Sequence, residues 1–249
     1  MDRALFLSMS GAKQDMQSLQ LRANNLANVS TTGFRADLEQ ARAMQVYGEG
    51  FPTRVFNMTE RPSYNYTQGS TITTGRELDV AIKGDGWLAV YDGSGQESYT
   101  RVGNLKLDQT GLLRNGQGHL ILGEGDAPIS LPLSVSTIEI GTDGTVSVLP
   151  QGAQLEAMEK VNRIKLVRPD QVELFKDKNG VFKPIIPGTI YAADASVTLL
   201  TGALEGSNVN AIGEMTGIIN LQRHFEMQIK LMKTVEEMDQ ASNSLLSMG

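Results

Sequence analysis

Four acidic residues in the middle of the chain are the first candidates for chemistry. They are Glu97, Asp108, Glu139 and Asp143. Two carboxyl groups on either side of a glycosidic bond can act as general acid and as base or nucleophile. The sequence does not place any two of the four at the separation that this reaction needs. An enzyme that acts on the cell wall is therefore an alternative and not the leading hypothesis.

Histidines and a short acidic turn are the candidates for metal binding. His119 and His224 are far apart in the sequence and form no HExxH or related motif. Asp177 and Asn179 lie in a segment that partly matches a calcium-binding loop, but Gly188 stands where that loop requires a glutamate. We therefore expect the histidines to be structural and predict no metal ligand.

Glycine-rich segments give no nucleotide site. No Gly-Lys-Ser/Thr follows the cluster Gly116, Gly118, Gly123 and Gly125, and no parallel-strand unit surrounds it. The chain also lacks the Gly-x-Ser-x-Gly motif that marks many serine hydrolases. The sequence therefore predicts no catalytic residue, no cofactor and no enzymatic activity.

Composition and charge exclude further classes of protein. The 249 residues carry a net charge of -6, whereas nucleic-acid-binding proteins usually show clustered Lys and Arg. The absence of cysteine excludes disulfides and thiolate metal sites. We therefore expect no nucleic-acid partner.

The start of the chain does not resemble a secretory leader. The apolar segment from Ala4 to Leu7 is shorter than the core of such a leader, and Asp2 stands beside Arg3 where a basic region is expected. No stretch approaches the roughly 18 consecutive apolar residues of a membrane span. We expect no cleaved signal peptide and no stable insertion into a membrane.

The N-terminal segment has the apolar spacing of a coiled-coil helix. Apolar or small residues recur at alternating steps of four and three, which predicts a helix from about Asp2 to about Val29. The positions of this seam are Leu5, Met9, Ala12, Met16, Leu19, Ala23 and Leu26. Such a stripe needs another helix to cover it.

The far end of the chain has the one comparable stripe. A helix is predicted from about Ile212 to Leu246, with apolar residues at steps of mostly three, four or seven. These residues are Met215, Ile218, Phe225, Ile229, Met232, Val235, Met238 and Leu245. The two helices can pair within one chain, but additional residues widen the apolar face and favour another neighbour. They are Ile219, Leu221, Leu231 and Leu246.

Short β-branched and apolar runs with Asp/Asn-Gly turns fill the middle of the chain, which predicts a series of hairpins. The predicted fold class is α+β, with an all-β central domain flanked by long amphipathic helices that pair as a coiled coil. The predicted domains are residues 1–34 with 207–249 as a terminal helical assembly domain, 35–77 as an extended connector, and 78–206 as the central β domain.

Four sequence motifs in a fixed order now point to a family. They are Ala23-Asn24-Asn25-Leu26-Ala27-Asn28-Val29-Ser30-Thr31-Thr32-Gly33-Phe34, Asp79-Val80-Ala81-Ile82-Lys83-Gly84-Asp85-Gly86-Trp87, Tyr99-Thr100-Arg101-Val102-Gly103-Asn104-Leu105, and Leu204-Glu205-Gly206-Ser207-Asn208-Val209 followed by Glu214-Met215. Together they resemble the motifs of the bacterial flagellar basal-body rod and hook protein family over nearly the full length.

This resemblance implies a structural subunit of the flagellar rod, built into the shaft that crosses the periplasm by helical packing of the terminal helices. It implies other rod subunits and further copies of the chain as partners, and delivery by the flagellar type III export apparatus. Chain length, the opening Met1-Asp2-Arg3-Ala4-Leu5 and the pair Trp87-Leu88 most resemble a proximal-rod member. A distal-rod or hook-type member is an alternative, and a secreted binding module is a weaker one.

The terminal segments carry the predicted assembly residues. We expect the interface to include Leu5, Met9, Met16, Leu19, Asn24, Asn25, Leu26, Asn28, Met215, Ile218, Phe225, Ile229, Met232 and Val235, with Thr32, Gly33 and Phe34 as the signature turn. Asparagines beside an apolar seam can fix the register of neighbouring helices. The alternative is that they only cap the end of the helix.

Overall fold

The computed structural model describes residues 2–39, 41–45, 55–59, 63–93, 95–152, 158–170 and 173–246. Two long helices and a set of short strands make up the fold, and every strand pair among these residues is antiparallel. The predicted α+β class is confirmed. The chain forms two compact units, which we call the helical unit (Met1–Val29, Ala36–Asn65 and Val209–Gly249) and the β unit (Ser30–Arg35 and Tyr66–Asn208).

The helical unit contains both helices. Helix α1 spans Asp2–Ala27 and α2 spans Ala211–Leu246, close to the predicted bounds. Arg22 Nη1 donates to Glu214 Oε2 at 2.9 Å, and Gly11, nearer the start of α1, lies against Gln228, further along α2. The helices therefore run antiparallel. Because α2 is ten residues longer than α1, it extends roughly 15 Å further.

The covered face of α1 contains part of the predicted apolar seam: Leu5, Ala12, Leu19 and Leu26 are buried or half-buried. Ser8 and Ala12 are buried, whereas Met9 and Met16 are 55% and 56% exposed. Small and polar side chains on α1 allow the close approach of α2, as Gly11 does at Gln228. Helix pairing within the chain is therefore observed. A supercoiled arrangement of the two helices stays a proposal.

Short strands complete the helical unit. They are β1 (Asp37–Leu38), β2 (Ala41–Gln45), β3 (Val55–Thr59) and β4 (Ser63–Tyr64). Strand β1 pairs with β4, and β2 pairs with β3. They lie in the predicted connector 35–77, of which residues 40, 46–54 and 60–62 are outside the described residues.

The β unit contains the remaining strands. They are β5 (Thr71–Thr73), β6 (Val80–Lys83), β7 (Trp87–Tyr91), β8 (Glu97–Thr100), β9 (Leu105–Leu107), β10 (Leu113–Asn115), β11 (Leu120–Ile121), β12 (Val135–Ile140), β13 (Thr145–Pro150), β14 (Glu159–Arg163), β15 (Leu166–Val167), β16 (Leu174–Lys176), β17 (Phe182–Pro184), β18 (Thr198–Thr201) and β19 (Ala203–Glu205). The largest sheet has the order β16-β17-β8-β7-β11-β10-β9, with β15 also paired to β7. Smaller sheets are formed by β12-β13-β14, β18-β6 and β19-β5.

Apolar side chains from all of these sheets except β19-β5 form one core. Leu88, Val90, Leu105, Leu113 and Ile121 of the largest sheet are fully buried in it. Strand β7 is central because it pairs with β8, β11 and β15. The second and third sequence motifs, which lie before and after β7, are therefore attached to a strand that is hydrogen-bonded to three other strands.

The two compact units divide the chain at positions other than the predicted domain boundaries. The signature turn at Thr32, Gly33 and Phe34, for example, lies in the β unit. Whether residues 1–34 with 207–249, 35–77 and 78–206 behave as separate domains stays a prediction. No helix in the described part of the chain is both long enough and apolar enough to cross a bilayer.

Candidate functional site

The asparagines of the first motif form a network within the helical unit. Asn25 is 1% exposed. Its Oδ1 accepts from Asp37 N at 2.9 Å, and its Nδ2 lies 2.9 Å from Asp37 O and 3.2 Å from Glu214 Oε1. Asn28 Nδ2 donates to Asn24 O and Oδ1, both at 2.9 Å. Asn25 therefore joins α1, β1 and α2, while Asn28 caps the end of α1 locally.

Replacing Asn25 by alanine should destabilise the helical unit by about 3 kcal/mol, because three hydrogen bonds of a buried amide are lost at about 1 kcal/mol each. Urea unfolding followed by far-UV circular dichroism measures this loss. Asn24→Ala is the matched control, since Asn24 is exposed and should cost less than about 1 kcal/mol. Equal losses in the two variants would contradict the assigned role of Asn25.

The other predicted assembly residues lie on both covered and exposed faces of the helices. Leu5, Leu19, Leu26, Ile218, Phe225 and Met232 are half-buried and Val235 is buried. Met9, Met16, Met215 and Ile229 are exposed. Phe6, Ile212 and Met227, which are not among the predicted interface residues, are exposed as well. The single chain therefore leaves apolar area on both helices uncovered. That these residues form an assembly interface stays a prediction.

A polar cavity of about 300 Å³ lies in the helical unit beside these helices. Asp15, Asp37, Glu39 and Glu214 line it together with Arg22. Burial raises the pKa of Asp15, and His224 on α2 partly opposes this rise in pKa. Gln14 and Ser18 donate to the Glu39 carboxylate. Several polar groups that line this cavity thus form hydrogen bonds with one another.

The signature turn lies in the β unit and requires glycine at its centre. Gly33 has φ 68° and its N–H donates to Glu205 O at 2.8 Å. A Cβ at this position would lie 2.5 Å from the carbonyl carbon of Arg101, so no larger residue fits. The Phe34 ring contacts Lys176 Nζ at 3.7 Å from its centroid, and Phe34 O accepts from Asn208 N. The first motif is therefore anchored on the third and fourth motifs.

The signature turn contacts an ionic cluster of two arginines and one glutamate. Arg35, Arg101 and Glu205 are 1%, 3% and 3% exposed. Arg35 Nη2 lies 2.8 Å from Glu205 Oε1, and Arg101 Nη1 donates to Glu205 Oε2 at 2.9 Å. Burial lowers the pKa of Arg35 to about 10; Glu205 opposes this change and Arg101 adds to it. One carboxylate thus pairs with two buried guanidinium groups.

The second motif contacts the same cluster. Arg101 Nη2 donates to Gly84 O at 2.8 Å, and its guanidinium carbon lies 5.5 Å from the centroid of the Trp87 ring. Gly103 lies so close to Val80 O that a Cβ would be 1.8 Å from that oxygen. All four sequence motifs therefore supply residues to the β unit's arginine–glutamate cluster or its immediate surroundings.

Arg101 and Glu205 lie in two of the sequence motifs and Arg35 directly follows the first, but no role was predicted for these three residues. One signal was available in the sequence. Arg101 and Glu205 each stand beside strand-forming apolar residues, where a buried charge needs a partner of opposite sign. The partner itself was not predictable, because Arg101 and Glu205 are 104 positions apart.

Three of the four acidic residues considered for catalysis are held by separate partners. Lys165 Nζ contacts Glu97 at 2.9 Å. A hydrogen bond from Arg114 lowers the pKa of Asp108, and hydrogen bonds from Thr145 lower the pKa of Asp143. Glycoside hydrolysis needs a general acid whose pKa is raised, so these two shifts oppose that role. Glu139 is exposed on β12.

The two histidines lie in different units of the chain. His119 lies in the β10–β11 turn, where burial lowers its pKa, and His224 is exposed on α2. Within the described ranges, no three His, Asp or Glu side chains are arranged to hold a metal ion.

Two family models match the chain. Residues 81–148 match the flagellar hook protein FlgE/F/G D1 domain, and residues 200–245 match the C-terminal domain of flagellar basal body rod FlgEFG proteins. The chain is 40% identical to the flagellar basal-body rod protein FlgF of Escherichia coli (strain K12) over the full length of both. It is 33% identical to FlgF of Caulobacter vibrioides, with 97% of each chain covered. It is 29% identical to the rod protein FlgG of Bacillus subtilis, with 94% of this chain and 96% of that protein covered.

Proposed function

Because this chain belongs to the family of flagellar basal-body rod proteins, we propose that it is a structural subunit of the proximal rod and assembles through α1 and α2. The observation that carries the proposal is the 40% identity to FlgF over the whole length of both chains, including both helices. Identity to the FlgG relative is lower, at 29%, so the distal-rod alternative is not favoured.

Exposed apolar side chains on the helices support assembly as the physical role. Met9 and Met16 of α1 and Met215 and Ile229 of α2 are each 45% or more exposed. Removing apolar area from water stabilises a contact by about 25 cal/mol per Å². A contact that repeats from one subunit to the next without closing would extend along the rod axis. Other rod subunits and further copies of the chain are the proposed partners.

The arginine–glutamate cluster supports this role in another way. Within the β unit it joins the segments 30–35 and 203–208, which precede β1 and α2 in the sequence. A subunit of a shaft needs segments that are fixed in position in this way.

We propose delivery to the basal body by the flagellar type III export apparatus on the basis of family membership.

Deleting the gene that encodes this chain from a motile bacterium tests the proposed function. We expect basal bodies with an incomplete rod in electron micrographs and loss of swimming, because the rod would lack one of its structural subunits. Expression of the intact chain from a plasmid should restore both. Complete rods in the deletion strain would contradict the proposal.

A structural subunit should have no hydrolytic activity. We expect incubation with purified peptidoglycan to release no more soluble sugar or peptide than buffer does, with a muramidase as positive control. The carboxylates with the best claim to chemistry, such as Glu97, are already paired within the chain. Turnover above background that is lost in Glu97→Gln would favour the enzyme alternative instead.

A further inference from the structure

The sulfur of this chain is present only as methionine thioether, since the sequence has 11 methionines and no cysteine. Six methionines lie in α1 and α2, and five of these are more than half exposed to solvent. We call these five the exposed methionines; they are Met9, Met16, Met215, Met227 and Met238. The sixth, Met232, is half-buried on α2. Reagents in solution can therefore reach most of the thioether groups on the two helices.

Other exposed apolar side chains lie beside the exposed methionines. Phe6 precedes Met9 by three positions on α1, and Ile212 and Ile219 flank Met215 at three and four positions on α2. Residues three or four apart are neighbours on the surface of a helix. Phe6, Ile212 and Ile219 are themselves exposed. A polar group added to one of these methionines would therefore interrupt an apolar surface.

We propose that the exposed methionines are an oxidation site, at which a hydroperoxide converts thioether to sulfoxide in the free chain and thereby lowers its incorporation into the rod. The inference rests on the proposed function, because it assigns these side chains to the contacts between subunits. In each reaction the O–O bond of the hydroperoxide breaks and one oxygen atom forms a bond to sulfur. The sulfur is oxidised by two electrons, and the hydroperoxide is reduced to water or an alcohol.

The sulfoxide affects assembly and folding differently. It is a polar group that accepts hydrogen bonds, and on an exposed side chain of the free chain water satisfies it. In an apolar contact between subunits the same oxygen would be buried without a donor, which is unfavourable. Oxidation should therefore weaken the contacts between subunits and leave the fold of the single chain intact. Methionine sulfoxide reductases reverse the reaction, so the effect is reversible.

Treatment of the purified full chain with hydrogen peroxide tests whether the site is selective. Peptide mass spectrometry measures the gain of one oxygen atom at each methionine over time. We expect the exposed methionines to react at least about threefold faster than Met232, because oxidation follows exposure. Urea unfolding followed by far-UV circular dichroism should give the same midpoint before and after oxidation of these five. Reaction of Met232 at the same rate as the other five would overturn the inference.

Two matched variants test the effect on assembly without an oxidant. Leucine at all five positions keeps the surface apolar and removes the sulfur, whereas glutamine at all five makes it polar, as the sulfoxide does. Leucine, methionine and glutamine have similar helix propensities, so both variants should fold as the intact chain does. Each is expressed in a motile strain that lacks its own copy. We expect completed rods in electron micrographs with the leucine variant, and about tenfold fewer per cell with the glutamine variant, because every subunit repeats the polar groups.

Equal numbers of completed rods with the two variants, whether high or low, would overturn the inference, because polarity at these positions would then not control assembly. If the intact chain restores rods in the same strain, that result leaves the proposed function standing. Completed rods in the strain with no copy of the chain would contradict the proposed function itself, and the inference would fail with it.

Discussion

Replacing Glu205 by glutamine should destabilise the β unit by about 3–5 kcal/mol, because it removes the carboxylate that pairs with two buried arginine charges. Arg35 and Arg101 are 1% and 3% exposed, so water cannot take over the role of the carboxylate. Glu205 Oε1 also accepts from Gly69 N at 3.1 Å, and this contact should weaken as well. The expected loss is a large part of the total stability of a domain.

Urea unfolding followed by tryptophan fluorescence measures this loss at the cluster itself. Trp87 is the only tryptophan, is 4% exposed and lies against Arg101. Glu77→Gln makes the same charge change at an exposed position and should alter the free energy of unfolding by less than about 0.5 kcal/mol. If the Glu205 and Glu77 variants unfolded at the same urea concentration, the cluster would not stabilise the β unit.

Replacing Met16 by aspartate should abolish rod completion and swimming while leaving the stability of the free chain nearly unchanged. Met16 is 56% exposed in the single chain, so a charge there meets water. In a helix contact between subunits the same charge would be buried without a partner, at a cost on the order of several kcal/mol for each contact. The effect is large because every incorporated subunit repeats it.

Gln17→Asp is the matched control for Met16→Asp. Gln17 is the next residue of α1 and is also exposed, but it is polar and lies outside the predicted seam. We expect swimming in soft agar and rods in electron micrographs for the Gln17 variant only. Normal swimming of the Met16 variant would remove this part of α1 from the interface. A strongly destabilised free Met16 variant would show that the side chain stabilises the monomer instead.

Local patterns in the sequence predicted the α+β class and both helices. The alternating steps from Leu5 to Leu26 predicted α1 to within two residues of its end, because a continuous apolar stripe needs a continuous helix. Hairpins were predictable where Asp and Gly mark the turns, as at Asp143 and Gly144 between β12 and β13. These features depend on neighbours in the sequence.

Features that depend on distant parts of the chain were not predictable. The stripe does not show that Ser8 is buried while its neighbour Met9 is 55% exposed, because this depends on which distant elements pack against each side of α1. The cluster joins Arg101 and Glu205, which lie in two separate motifs, to Arg35, which directly follows the first motif, and no spacing rule links them. The motifs were visible in the sequence, but the physical reason for their residues was visible only in the fold.

A density map of intact basal bodies that resolves this chain tests the central claim most directly. We expect α1 and α2 of neighbouring rod subunits to contact each other, with Met9, Met16, Met215 and Ile229 at those contacts and shielded from water. A map in which these four side chains face solvent, with subunits joined through their β units alone, would contradict assembly through the terminal helices.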